Sequence, residues 1–417
     1  MNPRLPWLWL YVLINIIAAL IMIDSGELIG DLKGIHLYSQ SALLWATVLV
    51  IASYLAILGP VFNFISRMKI QRFSYKVDES ALGRRLGLLL AVLQIFYIIF
   101  NLSTNVNIAG SNTARTDSYF SILWVLFPVD ALFLIYYGTY RDNKYFYPNL
   151  AIWVISNTLR GWGGIFLTII FFEWCRAVYN KKVKVSWVVI VGLLVIAIYP
   201  LLLNLKWLVR DSVATGLSLE ALTEGFLDVF ESADYLALMG DGLAHLVGRL
   251  QSVSVVVDVM RLSDLLQEKF AAGEFAPFWK EGLHGILFDR LFASEKQMLI
   301  GVAFTGYENF GFNYKMGDWN VSLGYPSWFF IAPRQILIYL LYTFFLGFIS
   351  FYLVKKIGIS MLSKDMLWYS WSVYLMAPWF LVFTGFIYAL FVFLVMKIVL
   401  ALMLSTRIKP KRIQLID

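Results

Sequence analysis

The chain has 417 residues, of which 60% are hydrophobic, 17% aromatic and only 15% charged, and its mean hydropathy is +0.72. This composition excludes a soluble globular protein and indicates an integral membrane protein. The formal net charge of +7 does not indicate a nucleic-acid partner, because the basic residues are concentrated in short loops where they meet anionic lipid headgroups.

Long apolar segments recur along the chain and predict membrane-spanning helices, since only helices or closed barrels satisfy backbone hydrogen bonds in lipid. Barrel strands would alternate polar and apolar residues, and these segments do not. The predicted fold class is therefore all-α, a polytopic transmembrane helical bundle. Ten spans are predicted, near residues 5–23, 41–63, 86–102, 118–139, 146–159, 162–178, 186–203, 327–354, 366–384 and 386–404. The fifth is short and the last two divide only at Gly385, so a count of eleven or twelve is the alternative.

The positions of lysine and arginine predict the orientation, because basic residues resist translocation. Twenty of them fall on one side of the predicted spans, and the short loops opposite hold only Lys33, Arg115 and Arg160. Both termini are therefore predicted in the cytoplasm. The expected divisions are an N-terminal transmembrane bundle (1–203), a large periplasmic loop (204–327), and C-terminal transmembrane helices with a basic cytoplasmic tail (328–417).

The large loop is expected to form helices that lie on the membrane face of the bundle. Hydrophobic spacing and capping residues predict helices near 218–238, 243–270 and 277–298. From Gly301 to Ser327 the sequence is rich in glycine and aromatic residues and predicts a loop. The region carries nine Lys/Arg against sixteen Asp/Glu, so its charge is opposite to that of the cytoplasmic loops.

Several familiar catalytic motifs do not occur in the sequence: a Walker phosphate loop, GxSxG, HExxH and CxxC. The chain has one cysteine, Cys175, which is expected to be a packing residue. The large loop has no DxD pair of the kind that holds a divalent ion on a sugar-donor diphosphate. We therefore predict a reaction without a metal or other cofactor.

Two arginines are the main candidates for binding phosphate, because a guanidinium keeps its charge and binds phosphate oxygens in a bidentate manner. Arg160 lies in the tight outer turn between two short spans; its alternative is a helix-end residue that extends to water. Arg249 is predicted to share a helix face with His245 and Ser252. The alternative for that face is a solvated surface.

Three further arginines are weaker candidates. Arg210 follows the seventh span and Arg290 lies beside Asp289, and ordinary ion pairing is an alternative for each. Arg334 is predicted about two turns inside the eighth span, where a charge is costly unless it faces the bundle or a wet cavity. It is either functional or paired with a buried carboxylate, Asp130 or Glu173.

Aromatic and histidine side chains complete the candidate set. His284, near Glu281, could act as a general base or be an inert histidine. Aromatic residues between Tyr307 and Trp328, including Tyr325, would suit the apolar faces of sugar rings. Aromatic residues also concentrate at membrane interfaces without any ligand, and this is the preferred interpretation for Trp328.

The topology, with an arginine in a short outer turn and another in a large late loop, resembles that of the Wzy-type O-antigen polymerases and the related O-antigen ligases. The resemblance covers the whole chain, but its local motifs are short: Asn157-Thr158-Leu159-Arg160-Gly161 and Gly248-Arg249-Leu250. Arg290 and Gly301 also fit an Arg-x10-Gly spacing. Ligases of this group carry a histidine late in the large loop, and residues 301–327 contain none.

The resemblance implies a GT-C-like glycosyltransferase in the bacterial inner membrane that polymerises oligosaccharide repeat units linked to undecaprenyl pyrophosphate. Arg160 and Arg249 would then hold the donor pyrophosphate and stabilise its developing charge. Expected partners are the lipid-linked donor and acceptor, membrane lipids, a chain-length-regulating protein and a flippase. Alternatives are an O-antigen ligase, a lipid or polysaccharide transporter, and a scaffold of a synthesis complex.

Overall fold

A computed structural model describes residues 2–71, 77–104, 106–108, 120–183, 185–215, 235–292, 297–307, 321–358 and 360–405. It is all-helical, with 79% helix, and the described residues contain only two isolated β-bridges and no strand. The predicted all-α fold class is therefore confirmed.

The described residues of the first half of the chain form nine helices. They are α1 (Arg4–Ser25), α2 (Gln40–Ala56), α3 (Phe62–Arg67), α4 (Glu79–Thr104), α5 (Ser121–Leu126), α6 (Val129–Tyr140), α7 (Phe146–Leu159), α8 (Gly164–Tyr179) and α9 (Val185–Thr215). A short 3₁₀ turn, Gly30–Leu32, lies in the α1–α2 loop, and the π turn Ile57–Val61 joins α2 to α3.

The described second half contains nine more. They are α10 (Tyr235–Leu250), α11 (Val253–Arg261), α12 (Ser263–Ala271), α13 (Leu283–Leu291), α14 (Ile300–Tyr307), α15 (Ser327–Ile331), α16 (Ile336–Ile357), α17 (Met361–Ser370) and α18 (Phe380–Ser405). The 3₁₀ turn Pro333–Gln335 precedes α16, and the π turn Trp371–Leu375 follows α17.

Six described helical segments are long and apolar enough to cross a membrane, so the chain is a membrane protein. They are Arg4–Ser25, Gln40–Arg67, Glu79–Thr104, Leu123–Tyr140, Pro333–Ile357 and Phe380–Leu404. A seventh is added if α10 and α11 together form one bent span. The prediction of ten spans is not confirmed, because α7 and α8 have 14 and 16 residues, shorter than the roughly 20 that cross a bilayer.

The bend between α10 and α11 is the main departure from the predicted lid of surface helices. Residues 243–270, predicted as one helix, are divided among three helices, α10, α11 and α12. The first two, α10 and α11, meet at an angle of 58°. Seven consecutive residues of α11, 253–259, are buried. The helix packs against α2 and α15 inside the bundle, so it is not a surface element.

The remaining predicted helices of the large loop are also revised. Residues 216–234, which hold most of the predicted helix 218–238, lie outside the described residues. Helical structure within 277–298 is described only for α13, which begins after Gly282. The predicted loop 301–327 instead begins inside α14, whose residues 300–305 are buried.

Two helix boundaries differ from those predicted by hydropathy, and a proline lies at each of the observed breaks. The predicted break at Gly385 does not exist, since α18 continues through it; the chain instead breaks at residues 376–379, around Pro378. The predicted span 118–139 is interrupted before α6, at Pro128. Proline lacks the N–H that a helix interior requires and constrains the preceding residue.

Candidate functional site

Arg160 lies at the end of α7, and its guanidinium is buried within the bundle. Its side chain is only 3% exposed, and Nη2 donates to both carboxylate oxygens of Asp130, at 2.9 and 2.8 Å. Nε donates to the Ser156 carbonyl at 3.1 Å and Nη1 to the Tyr97 hydroxyl at 3.4 Å. The alternative in which Arg160 extends to water is therefore wrong.

Asp130 completes a polar cluster at the C-terminal end of α7. It stands in the first turn of α6, where a carboxylate interacts favourably with the helix dipole, and it accepts a third hydrogen bond from Asn157 Nδ2 at 3.2 Å. Close by, the buried Ser156 hydroxyl and the Trp124 indole N–H have no hydrogen-bond partner in the described part of the chain. The cluster therefore offers unused polar atoms beside a neutralised charge pair.

Arg249 lies in the last turn of α10 and is more accessible. Its side chain is 46% exposed, and Nη1 donates to Asp31 Oδ2 at 3.1 Å. One turn earlier, His245 Nδ1 lies 2.8 Å from the Tyr199 hydroxyl. The spacing that predicted a shared face for His245 and Arg249 is compatible with α10, which contains both residues.

Ser252 does not belong to that face, because α10 ends at Leu250 and the chain bends before α11. The Ser252 N–H donates to Asn15 Oδ1 of α1 at 3.0 Å. The Gln251 side chain caps the start of α11. Its Oε1 accepts from Ser254 N at 2.9 Å, and its Nε2 donates to the Ser254 hydroxyl at 2.6 Å. These hydrogen bonds therefore connect the α10–α11 bend to α1 and cap the first turn of α11.

The structure does not bring Arg160 and Arg249 together. Arg160 contacts residues of α4, α6 and α7, whereas Arg249 pairs with the α1–α2 loop through Asp31. Among the described residues, the two guanidinium groups share no hydrogen-bond partner. The prediction that Arg249 sits over the turn holding Arg160 is not supported.

Arg334 lies at the start of the candidate span Pro333–Ile357 and not two turns inside it. It lies in the 3₁₀ turn that precedes α16, where its side chain is exposed. Pro333 explains the difference, since it ends the helical stretch begun by α15 and starts the new turn. Its two predicted partners are engaged elsewhere, because Asp130 pairs with Arg160 and Glu173 pairs with Arg141 at 2.7 Å.

Tyr325 and Trp328 are core residues. The Tyr325 hydroxyl lies 2.9 Å from Thr343 Oγ1, and its carbonyl accepts from Tyr339 Oη at 3.0 Å. The Trp328 ring packs against Phe278 and is almost fully buried. Sugar stacking, which the sequence left open for Tyr325, and the interface position preferred for Trp328 are not supported, because both rings are used in packing.

His284 lies at the start of α13 and is exposed. Its Nε2 contacts the Trp279 carbonyl and lies 3.4 Å from the Tyr342 hydroxyl. A carbonyl can only accept, so Nε2 is the donor in the contact with Trp279. The neighbouring Glu281 is buried and accepts from Ile300 N at 3.0 Å, and burial raises its pKa to about 8.

The other predicted site residues are only partly described. The backbones of Arg210 and Arg290 are helical, but their side chains lie outside the described residues, as do residues 308–320 with several of the candidate aromatics. Within the described residues there is no group of three metal-ligating side chains. The sequence did not point to Asp31, and it indicated Asp130 only as a possible partner of Arg334. The available signal for Asp130 was an acidic residue inside an apolar segment, two positions after Pro128.

Comparisons of the chain with protein-family models, with curated proteins and with solved structures find no match.

Proposed function

We propose that this chain is a membrane glycosyltransferase that polymerises oligosaccharide repeat units linked to undecaprenyl pyrophosphate. In this proposal it belongs to the bacterial inner membrane, with both termini in the cytoplasm and residues 204–327 on the periplasmic face. The transferred glycan leaves its lipid diphosphate as the C1–O bond breaks, and an acceptor hydroxyl oxygen forms the new bond to C1 while its proton passes to the released diphosphate or to water.

The ion pair of Arg249 carries the proposal. A half-exposed guanidinium with one hydrogen bond to one carboxylate can exchange that carboxylate for a diphosphate. The diphosphate offers more acceptor oxygens and more charge, and arginine binds phosphate oxygens in pairs. Such an interaction strengthens as negative charge develops on the leaving group.

Arg160 has a supporting role. Its charge is neutralised by Asp130, but the unused polar atoms of Ser156 and Trp124 lie in the same cluster. Both atoms are buried in this structure, so they can bind sugar hydroxyls or phosphate oxygens only if the cluster opens to substrate. Arg160 is therefore expected to orient bound substrate, with Asp130 holding the guanidinium in place.

The experiment compares repeat-unit ladders from cells that express single variants. We expect Arg249→Ala to collapse the ladder to a single repeat on its carrier, with extension slowed about a hundredfold or more, the usual effect of removing one charge-stabilising donor. Asp31→Asn frees the guanidinium and is expected to preserve the ladder. A matched control is Arg176→Ala, which removes another partly exposed arginine paired with an aspartate.

Two outcomes would overturn the assignment. A normal ladder from Arg249→Ala would remove Arg249 from the site. Equal losses from Asp31→Asn and Arg249→Ala, at normal protein levels, would mean that the ion pair only stabilises the α10–α11 bend. Arg160→Ala is also expected to abolish extension, but it needs the parallel measurement of protein level because it unpairs Asp130.

A transporter of lipid-linked glycans is a second candidate, favoured by the bent pair α10–α11, since broken helices are typical of transporter sites. Purified protein in detergent separates the two functions. An enzyme extends lipid-linked repeats in detergent, where no membrane divides two compartments. A transporter leaves them unchanged there and moves them only across a sealed vesicle.

A further inference from the structure

The outward side of α13 carries four exposed apolar residues on one helix face. They are Leu287, Phe288, Leu291 and Phe292, with exposed fractions of 52, 48, 78 and 68%. Their spacing of one, four and five positions places them on one side of the helix. The Phe288 and Phe292 rings contact each other, with centroids 4.5 Å apart. This face is therefore a continuous apolar surface on a helix that is too short to span a membrane.

Two contacts fix the level of α13 relative to the spanning helices. The Leu283 N–H donates to Thr384 Oγ1 at 2.7 Å, and His284 contacts Tyr342. Thr384 and Tyr342 are the fifth and seventh residues of α18 and α16. At about 1.5 Å per residue, they lie about 6 and about 9 Å along those helices. The start of α13 is thus one to two turns below the ends of two candidate spans.

The apolar surface continues onto those spans. On α16, Leu337, Ile338, Leu341 and Phe345 are exposed, and on α18, Leu381 and Val382 are exposed. These side chains face the hydrocarbon if the helices cross a membrane, as their length and composition indicate. Since α13 packs against α18 and contacts α16 through His284, the same solvent can reach the exposed apolar residues of all three helices.

The charges of α13 are compatible with an interfacial position. Its sequence has one Asp and one Arg, so the side-chain charges cancel. Lys280 Nζ lies 3.7 Å from Asp289 and stands over the Phe288 ring at 5.8 Å. Pairing of this kind lowers the cost of placing a carboxylate near lipid.

We propose that α13 is an interfacial helix whose apolar face is embedded in the lipid leaflet around the first turns of α16 and α18. Exposed apolar patches of this kind mark membrane or protein contacts, and continuity with the lipid-facing spans selects lipid. Bilayer acyl chains are therefore the occupant of this surface.

The test uses the protein reconstituted in lipid nanodiscs, with an environment-sensitive fluorophore on single introduced cysteines. Leu291→Cys and Phe292→Cys report on the proposed face. Leu341→Cys on α16 is the lipid-exposed reference, and Ala272→Cys, exposed just after α12, is the water-exposed reference. The native Cys175 is buried, so the unsubstituted protein gives the labelling blank.

We expect brominated acyl chains to quench the labels at 291 and 292 as strongly as the label at 341, and severalfold more than the label at 272. Aqueous iodide should show the reverse order. Quenching of 291 and 292 by iodide but not by brominated lipid would overturn the proposal and place α13 in water. Protection from both quenchers would also overturn it, by showing that protein covers the face.

Discussion

Arg160 and Arg249 differ in what surrounds their ion pairs, and this determines what each substitution measures. The Arg249–Asp31 pair is partly exposed, and exposed pairs contribute about 1 kcal/mol or less to stability. Removal of Arg249 should therefore alter binding more than folding. Arg160 is buried against Asp130, and loss of a buried partner costs several-fold more because it leaves an uncompensated charge.

The sequence alone selected these two arginines as candidates, but it did not indicate which residues they pair with. Arg160 stood out as a charge in a short outer turn, and Arg249 through its spacing from His245. Asp31 and Arg249 are separated by 218 positions, and no local pattern encodes a contact over that distance. The core positions of Tyr325 and Trp328 were missed for the same reason.

Glu281 predicts a dependence of stability on pH. Burial raises its pKa from 4.5 to about 8 in the folded protein, so the folded state binds one proton more than the unfolded state between these values. This contribution is fully present below pH 4.5 and is lost as the pH rises through about 8. Each pKa unit corresponds to about 1.4 kcal/mol, so a loss of several kcal/mol is expected.

Thermal unfolding of the detergent-solubilised protein across pH 5–9 measures this effect. Glu281→Gln keeps the acceptor for Ile300 N but does not titrate, and its melting temperature should fall less with pH than that of the wild type. Melting temperatures that fall equally with pH in the two proteins would show that the pKa of Glu281 is not raised.

At the scale of elements, the α10–α11 bend depends on close backbone contact. A Cβ on Gly248 would lie 2.8 Å from Gly30 Cα, and Gly30 has a φ of 73°, which favours glycine. Apolar spacing predicted one helix over residues 243–270, because spacing alone does not show where the chain changes direction. By contrast, the predicted limits of α7, 146–159, match the structure, since the turn after it follows local residues.

Gly248→Ala is expected to destabilise the protein, with a cost of about 1–3 kcal/mol typical of an overpacked contact. Gly240→Ala lies in the same helix with no atom within 4 Å of its added Cβ, and should be neutral or stabilising by up to about 1 kcal/mol. Unfolding by heat in detergent compares the two. Equal effects would show that the Gly30–Gly248 approach does not constrain the bend.

At the scale of the whole molecule, composition correctly indicated an all-helical membrane protein, while the number of spans was harder to predict. The short helices α7 and α8 and the bent pair α10–α11 are apolar without having the length of a single straight span. Hydropathy alone cannot distinguish a short buried helix from a membrane span, because both exclude water.

The proposed orientation requires that residues 182 and 272 lie on opposite sides of the membrane, with α9 between them as one crossing. Both side chains are exposed, so cysteines introduced there can be labelled. A membrane-impermeant maleimide should label Ala272→Cys in right-side-out vesicles and Lys182→Cys in inside-out vesicles. Labelling of both from one side would rule out this orientation.

The contacts that hold the α10–α11 bend also impose an order on biosynthesis. The bond from Ser252 to Asn15 joins residues 237 positions apart, so the surface of the first hairpin is made long before α11 emerges from the ribosome. Until then Asn15 and the α1–α2 loop lack their final partners. Insertion of the amino-terminal helices must therefore leave that surface open, and the bundle closes only after more than half of the chain has been translated.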